Sequence, residues 1–216
     1  MPSKITVYNQ AAARIGVFES GIQSDTEVSK IVEVCNLFYD DSVEYVLAEF
    51  PWKFAEKRVV LAASGTAPSN WTYSYAYPTD CIAARVIVIP GLRNPRAAQM
   101  IPYQIGTDGT SRFIYTDMPD AELIYTTRIT DLNLWGPTAV SALSYYLATQ
   151  IAMPMSAKPD IAQSAMAGYY REVSRAAANA MNEITPDQPP VNEFQAARSG
   201  FGGPADGPLI SGGWLP

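Results

Sequence analysis

Apolar residues recur at intervals of three and four in the first part of the chain, a spacing typical of helices that pack on one face. A short helix is predicted over 3–15. A longer helix is predicted over 24–50, because Ser24 and Glu27 have the spacing of a capping box and Pro51 stops the pattern. The apolar face of the longer helix consists of Val28, Val32, Cys35, Tyr39, Val43, Val46 and Phe50.

Between residues 57 and 130 the apolar pattern changes to every second position, which is typical of β-strands. The predicted strands cover 58–63, 71–77, 82–89, 100–105, 112–116 and 123–129. Asp108 and Gly109 are expected to form a hairpin turn, since glycine accepts the positive φ that such turns need. One predicted strand places four aromatic side chains on a single face, namely Trp71, Tyr73, Tyr75 and Tyr77.

Helical spacing returns after the strands, with one helix predicted from Pro137 to just before Pro154 and another from Pro159 to about Ala180. These helices can bury their apolar stripes against the first two. The chain is therefore predicted to be an α+β protein, in which an antiparallel β domain is inserted between the N- and C-terminal halves of one helical bundle. The predicted boundaries are 1–56 and 131–184 for the bundle halves and 57–130 for the β domain.

The remaining residues, 185–216, are predicted to form an extended arm. They contain six Gly and six Pro among 32 residues, which is more than a packed domain usually holds. Large apolar side chains on such a segment suggest that a partner buries them on assembly. The alternative is a frayed terminus whose aromatic side chains fold back on the same subunit. The candidate interface residues are Phe194, Phe201, Leu209, Ile210, Trp214 and Leu215.

The negative charge is concentrated in one predicted helix. The chain has a net charge of -6, and residues 24–50 contain seven acidic residues against Lys30 alone. One interpretation is a solvated outer face, and the other is an acidic wall that faces a partner or a channel. Asp40, Asp41 and Glu44 are the candidate residues of such a wall.

The composition leaves few routes to catalysis. There is no histidine, which excludes Ser-His-Asp and Cys-His catalysis and His-ligated zinc. Cys35 and Cys81 are not spaced as a metal or redox pair, and no glycine-rich phosphate loop lies between a strand and a helix. We therefore expect neither an enzyme nor a cofactor or metal site. Without a long apolar run we also expect no membrane span.

Four motifs occur in an order that resembles the tail tubular protein A family. They are NQAAARIG at 9–16, CNLFY at 35–39, FPWKFAEKR at 50–58 and YSYAYPTDCI at 73–82. This family comprises the head-to-tail adaptors of short-tailed bacteriophages. The resemblance covers about residues 5–130, and the later helices agree with the family in kind rather than by motif.

The resemblance implies a structural role in the virion, at the junction of head and tail, for a protein made in the cytoplasm of the host bacterium. It implies a homo-oligomeric ring, a dodecamer, between the portal protein and the tail nozzle, which resembles tail tubular protein B. Double-stranded DNA then passes through the ring without sequence-specific binding. By analogy, the helical part faces the portal and the β part faces the nozzle. An acidic lumen would repel the passing duplex.

The two most specific motifs also have a physical interpretation as structural joints. Pro51 ends the acidic helix, and large aromatic side chains then fill the junction of bundle and sheet. In the second motif Asp80 is expected to accept backbone N–H groups in a turn. The predicted joint residues are Pro51, Trp52, Phe54, Ala55, Tyr77, Pro78, Asp80 and Cys81.

Two other functions compete with the adaptor. The first is a small carbohydrate- or peptide-binding β module with helical support, for which the aromatic strand at 71–77 would supply a stacking surface. The second is an acid–base hydrolase that works without histidine. For the hydrolase, no carboxylate pair in the sequence stands out as the catalytic one.

Overall fold

The computed structural model describes residues 2–18, 21–92, 99–156 and 158–183, with side chains described as far as residue 179. The chain divides into two compact units, Met1–Ala180 and Met181–Pro216. The described helices are α1 (Lys4–Arg14), α2 (Lys30–Glu49), α3 (Pro137–Ser156) and α4 (Pro159–Glu183). The described strands are β1 (Glu56–Val60), β2 (Tyr73–Ala76), β3 (Cys81–Val88), β4 (Tyr103–Thr107), β5 (Arg112–Thr116) and β6 (Glu122–Thr127).

The predicted α+β class is confirmed, with helices before and after an antiparallel β region. Side chains from all four helices share one hydrophobic core, which includes Tyr8, Leu47, Leu143 and Tyr169. Helix α3 contributes buried residues along most of its length, from Ala139 to Ala152, and so lies at the centre of this core. The helices on either side of the strands therefore form one bundle, as predicted.

The six described strands are arranged as a small closed barrel. They pair as two three-stranded antiparallel sheets, in the orders β1-β6-β3 and β2-β5-β4. Isolated bridges then join the sheets at both sides, Ala63 to Tyr75 and Ile87 to Ile101. The β region is thus a small barrel with its own core of apolar side chains. At these bridges closure pairs backbone groups that an open sheet edge would leave free.

The predicted hairpin at Asp108 and Gly109 is confirmed. It joins β4 to β5, and Gly109 has a φ of 91°. The Asp108 carboxylate accepts hydrogen bonds from the backbone N–H groups of Thr110 and Ser111, at 2.9 and 2.7 Å. The side chain therefore stabilises the turn that the glycine permits.

The predicted start of the long helix was wrong, because α2 begins at Lys30 and not at Ser24. Ser24 and Glu27 form only an isolated turn, in which the Ser24 carbonyl accepts the Glu27 N–H. Just before this turn the Asn9 side chain hydrogen-bonds both the N–H and the carbonyl of Ile22, at 2.6 and 2.9 Å. Within the turn the Asn36 side chain donates to the Asp25 carbonyl at 2.8 Å, an acceptor that a helix beginning at Ser24 would use for its own first turn. These tertiary hydrogen bonds hold the segment as a loop and outweigh the local capping signal.

Other boundaries differ by a few residues. Helix α3 continues through Pro154 to Ser156, since a proline in the last turn removes only one helical hydrogen bond near the end. The first strand begins at Glu56, not at residue 58, and ends at Val60. The aromatic strand shortens to β2, and β4 lies later than the predicted 100–105.

Candidate functional site

The first predicted joint lies where the chain leaves the bundle for the barrel. Pro51 ends α2, and Trp52 is buried with 4% of its surface exposed. The Trp52 indole N–H donates a 2.7 Å hydrogen bond to the carbonyl of Val46. This bond satisfies one of the carbonyls that the end of a helix leaves free. The joint is therefore fixed by a hydrogen bond as well as by packing.

An aromatic cluster extends this joint to the place where the chain returns to the bundle. The ring centroids of Trp52 and Phe54 are 5.7 Å apart, and those of Phe54 and Trp135 are 5.3 Å apart. The Trp135 indole N–H donates to the carbonyl of Ile129 at 3.2 Å. Ala55 is fully buried in the same hydrophobic core. Both crossings between bundle and barrel therefore pack against each other.

The second predicted joint is organised by the carboxylate of Asp80. We expected this group to accept backbone N–H groups, but its partners are side chains. It accepts hydrogen bonds from Lys57 at 2.6 Å, from the Tyr125 hydroxyl at 2.9 Å and from the Thr127 hydroxyl at 3.1 Å. Lys57 lies on β1 and the other two on β6. Hydrogen bonding to the Lys57 ammonium holds the pKa of Asp80 below its usual value.

The remaining residues of the second motif pack around this turn. Tyr77 and Pro78 are half-buried, and the Pro78 carbonyl accepts the Cys81 N–H at 3.1 Å. Cys81 is buried in the barrel core, and desolvation raises the pKa of its thiol. These contacts hold the connection between β2 and β3 in one conformation.

A third connection between barrel and bundle was missed by the sequence interpretation. Arg85 on β3 donates to the carbonyls of Leu47 and Ala48, at 3.1 and 2.7 Å. These carbonyls belong to the last turn of α2, where a cation is favourable. The same guanidinium donates to the Thr126 hydroxyl at 2.9 Å. Nothing in the local sequence marks Arg85, since the helix end that it caps lies 37 residues earlier.

The outward surface of α2 carries the three predicted acidic residues. Asp40, Asp41 and Glu44 are all exposed, and Glu44 forms an ion pair with Arg128. The sequence interpretation did not single out Leu37, which has 70% of its surface exposed. Leu37 lies one turn before Asp41 and so shares its face. This surface therefore combines carboxylates with an exposed apolar side chain.

The aromatic row predicted on one strand does not form a single platform. Tyr75 is buried in the barrel core, and its hydroxyl donates to the Met118 carbonyl at 2.8 Å, whereas Tyr73 is 38% exposed. Tyr77 is covered by the guanidinium of Arg112, which lies 4.5 Å from the ring centroid. The aromatic side chains that were predicted to stack on a sugar therefore do not lie together on one exposed face.

Beside Tyr77 lies an open groove of about 400 Å³. Its lining includes Tyr77, Thr79, Cys81, Arg112 and Phe113. Because Arg112 already covers the tyrosine ring, this face is not free to stack on a ligand. The groove therefore gives the alternative of a carbohydrate- or peptide-binding module little support.

Within the described ranges, no three His, Cys, Asp or Glu side chains are grouped so that they could hold a metal ion. None of the helices described is long and apolar enough to cross a membrane. The Asp117 carboxylate, directly after β5, accepts hydrogen bonds from the N–H and the hydroxyl of Thr72, at 2.9 and 2.8 Å. Burial raises the pKa of the Cys35 thiol to about 12. The contacts of Asp117 and the burial of Cys35 are thus those of residues that stabilise the fold.

The predicted interface residues of the arm lie outside the described residues. They are Phe194, Phe201, Leu209, Ile210, Trp214 and Leu215.

A scan against models of known protein families and a search of curated proteins both find no match for this chain. The resemblance to the tail tubular protein A family therefore stays a prediction based on its four motifs. Two of those motifs, at 50–58 and 73–82, coincide with the joints around Trp52 and Asp80.

Proposed function

We propose that this chain is a structural head-to-tail adaptor of a short-tailed bacteriophage, and that repeated copies form a ring through which DNA passes. The observation that carries this proposal is the joint between bundle and barrel. The aromatic cluster of Trp52, Phe54 and Trp135 connects the two parts at one place, and Arg85 connects them at another. A ring needs the same geometry in every copy, and a joint fixed at both places provides it.

The two parts of the subunit offer unlike surfaces. The bundle presents the acidic outer face of α2, and the barrel presents the outer faces of its two three-stranded sheets. A heterologous ring needs two different contact surfaces on each copy, and an adaptor needs one end for each neighbour in the virion. The helical end facing the portal and the β end facing the nozzle are part of the proposal by analogy with the family.

The proposed role needs no catalysis. The adaptor acts by its shape, by holding portal and nozzle together and leaving a passage for the duplex. The virion, at the junction of head and tail, is accordingly the proposed location, and the portal, the nozzle and further copies of this chain are the proposed partners.

In such a ring the acidic face of α2 has two placements. In the first it lines the channel, where Asp40, Asp41 and Glu44 repel the phosphates of the passing duplex. In the second it lies against a neighbouring copy. The exposed Leu37 favours the second placement, because an apolar side chain gains nothing in a water-filled channel but is stabilised by burial in a contact.

A gene deletion tests the proposed function. The gene that encodes this chain is deleted from the phage genome that carries it. The heads are then expected to package DNA but to acquire no tail, and the packaged DNA is expected to leak out. The full chain supplied from a plasmid should restore tailed particles, seen by electron microscopy. Infective tailed virions formed without the chain would refute the proposal.

A truncation tests the role of the arm within this proposal. The chain without residues 185–216 is expected to unfold cooperatively, as the full chain does, but not to restore tailed particles in the deletion strain. Full restoration by the truncated chain would show that the arm is not an assembly element. Loss of cooperative unfolding would show instead that the arm belongs to the folded core.

A further inference from the structure

The outward face of α2 has the composition of a protein contact. Leu37, Asp41 and Glu44 follow one another at intervals of four and three, so they share one helix face, and all are exposed. Leu37 is 70% exposed between carboxylates. A single exposed leucine is ordinary. An apolar centre surrounded by charges is, however, the usual anatomy of a protein interface.

A second outward face, on α4, is complementary to the first. Its exposed residues Ala167, Arg171, Ser174 and Ala178 follow at intervals of four, three and four, which places them on one face. Tyr170, with 50% of its surface exposed, lies at the side of this face. Small side chains let a neighbouring helix approach closely, and Tyr and Arg are enriched at interfaces.

The charges of the two faces have opposite sign. The outer face of α2 carries Glu33, Asp40, Asp41 and Glu44 against one exposed cation of its own, Lys30, and Glu44 is paired with Arg128, so carboxylates remain in excess. The outer face of α4 carries Arg171 and Arg175, whereas Glu172 of the same helix is buried. Arg175 contacts Glu172 at 3.3 Å, and Arg171 adds a second exposed cation one turn away. The faces can therefore attract each other, while two copies of either face would repel.

The two faces belong to one bundle but are different surfaces. Helices α2 and α4 meet at the sides that carry Tyr45 and Tyr169, whose ring centroids are 6.2 Å apart. The exposed faces of the two helices lie away from this contact. A contact between one kind of face and the other leaves the first copy with a free α2 face and the second with a free α4 face, so the same contact is repeated from copy to copy until the ring closes.

From these observations we propose that the copies of this chain assemble by packing the α4 face of one copy, Ala167, Tyr170, Arg171, Ser174, Arg175 and Ala178, against the α2 face of the next, Glu33, Leu37, Asp40, Asp41 and Glu44. Leu37 is seated over the small residues of α4, and Asp40 and Asp41 pair with Arg171 and Arg175. The inference rests on the proposed function in that it identifies the subunit contact of the ring.

Intermolecular cross-linking of the full chain tests this contact. The variants Leu37→Cys and Ser174→Cys are purified separately, mixed and oxidised over a series of protein concentrations. The mixture is expected to form a disulfide-linked dimer, and neither variant alone should do so. The native thiols do not interfere, because Cys35 and Cys81 are buried. The control mixture pairs Leu37→Cys with Thr107→Cys, an exposed position at the end of β4. The designed pair should give about tenfold more dimer than the control, because thiols in a contact have a high effective concentration.

Charge reversal supplies a second measurement. Asp41→Arg, and separately Arg171→Asp with Arg175→Asp, are introduced into both cysteine variants. Each change should reduce the dimer yield about tenfold, the effect expected when like charges are placed across a contact. Mixing the two changed faces should restore it. Glu27→Arg, which adds the same charge at an exposed position before α2, should leave the yield unchanged.

The outcomes separate this inference from the proposed function. Tailed particles that form normally with Asp41→Arg, together with no dimer from the designed pair, would overturn the contact and leave the adaptor role intact. If Asp41→Arg particles assemble but retain their DNA, the face lines the channel and the inference is wrong. The absence of a disulfide-linked dimer from Leu37→Cys and Ser174→Cys at every protein concentration also overturns the proposed contact. The gene deletion then tests the proposed function independently.

Discussion

The ring of Tyr145 on α3 lies directly against Gly168 on α4, and a Cβ added to this glycine would come within 2.4 Å of a ring carbon. The ring cannot simply move away, because the Arg14 guanidinium lies on it, 3.7 Å from the centroid. Arg14 also donates to the hydroxyls of Ser141, at 3.2 Å, and Ser144. One aromatic side chain thus connects α1, α3 and α4.

We predict that Gly168→Ala destabilises the chain by about 1–3 kcal/mol, the usual cost of an overpacked core. The sign is informative, because replacing glycine by alanine inside a helix normally stabilises it. Urea unfolding followed by circular dichroism measures the free energy.

A double-mutant cycle supplies the control for this prediction. In a Tyr145→Ala background the space opposite Gly168 is empty, so Gly168→Ala should become neutral or stabilising. An equal loss of stability in both backgrounds would show that the tyrosine is not the cause.

The Asp80 carboxylate should make stability depend on pH in the acid range. Its pKa is lowered in the folded chain, chiefly by the hydrogen bond from Lys57. A group with a lowered pKa contributes stability above the pKa it has when unfolded, about 3.9, and that contribution is lost as the pH falls through the folded value. We predict that Asp80→Asn costs about 1–2 kcal/mol at pH 6, the net value of a few hydrogen bonds at a half-exposed site. The difference from the unchanged chain should shrink toward pH 2.

The control for the Asp80 prediction is Lys57→Gln, which keeps the carboxylate and removes its main partner. In this variant the pKa of Asp80 should rise toward its ordinary value. The free energy of unfolding should then depend less on pH in the acid range. A pH profile that neither change alters would show that the contacts around Asp80 contribute nothing to stability.

Much of the fold could be predicted from the sequence because its signals are local. The helical spacing of the apolar residues identified both halves of the bundle, and the pair Asp108 and Gly109 identified the β4–β5 hairpin. Trp52 was predicted to be buried, since a large aromatic side chain directly follows a helix stop at Pro51.

The features that escaped prediction depend on residues far apart in the chain. The Asn9 and Asn36 side chains bond the backbone of Ile22 and Asp25 and so hold the segment around Ser24 as a loop. Arg85 caps the end of α2 from a strand of the barrel. The barrel closes through single bridges such as that between Ala63 and Tyr75, which no periodicity can reveal. Local patterns identify elements, but long-range hydrogen bonds decide their ends and partners.

The native thiols should be nearly inert. Burial raises the pKa of Cys35 to about 12 and also raises that of Cys81, so at pH 8 both thiols are protonated. Cys35 has no exposed surface, and Cys81, at the border of the groove beside Tyr77, exposes only 9% of its surface. We predict that Ellman's reagent labels neither thiol in the folded chain within minutes and labels both in urea. Rapid labelling of the folded chain at pH 8 would contradict the buried positions in both cores.

The joint at Trp52 provides the last prediction. Trp52→Ala removes a buried side chain and leaves a cavity between Phe50 and Phe54, so it should cost about 3–5 kcal/mol of unfolding free energy. Trp52→Phe keeps most of the apolar area but leaves the Val46 carbonyl without its donor, and should cost about 1–2 kcal/mol. Denaturant unfolding measures both.

Trp71→Phe is the matched control for the Trp52 variants, since the Trp71 indole N–H also donates a hydrogen bond, at 2.9 Å to the Gln104 side chain, but in an exposed position. Water can replace that bond, so its loss should change the free energy of unfolding by less than about 0.5 kcal/mol. If Trp52→Phe proves as mild as Trp71→Phe, the indole hydrogen bond does not fix the joint, and the packing around Trp52 acts there with the Arg85 hydrogen bonds to the end of α2. If both Trp52 variants are costly, the joint depends on the hydrogen bond as well as on the buried apolar area. The bond to the Val46 carbonyl then fixes the orientation of the indole, because hydrogen bonds are directional.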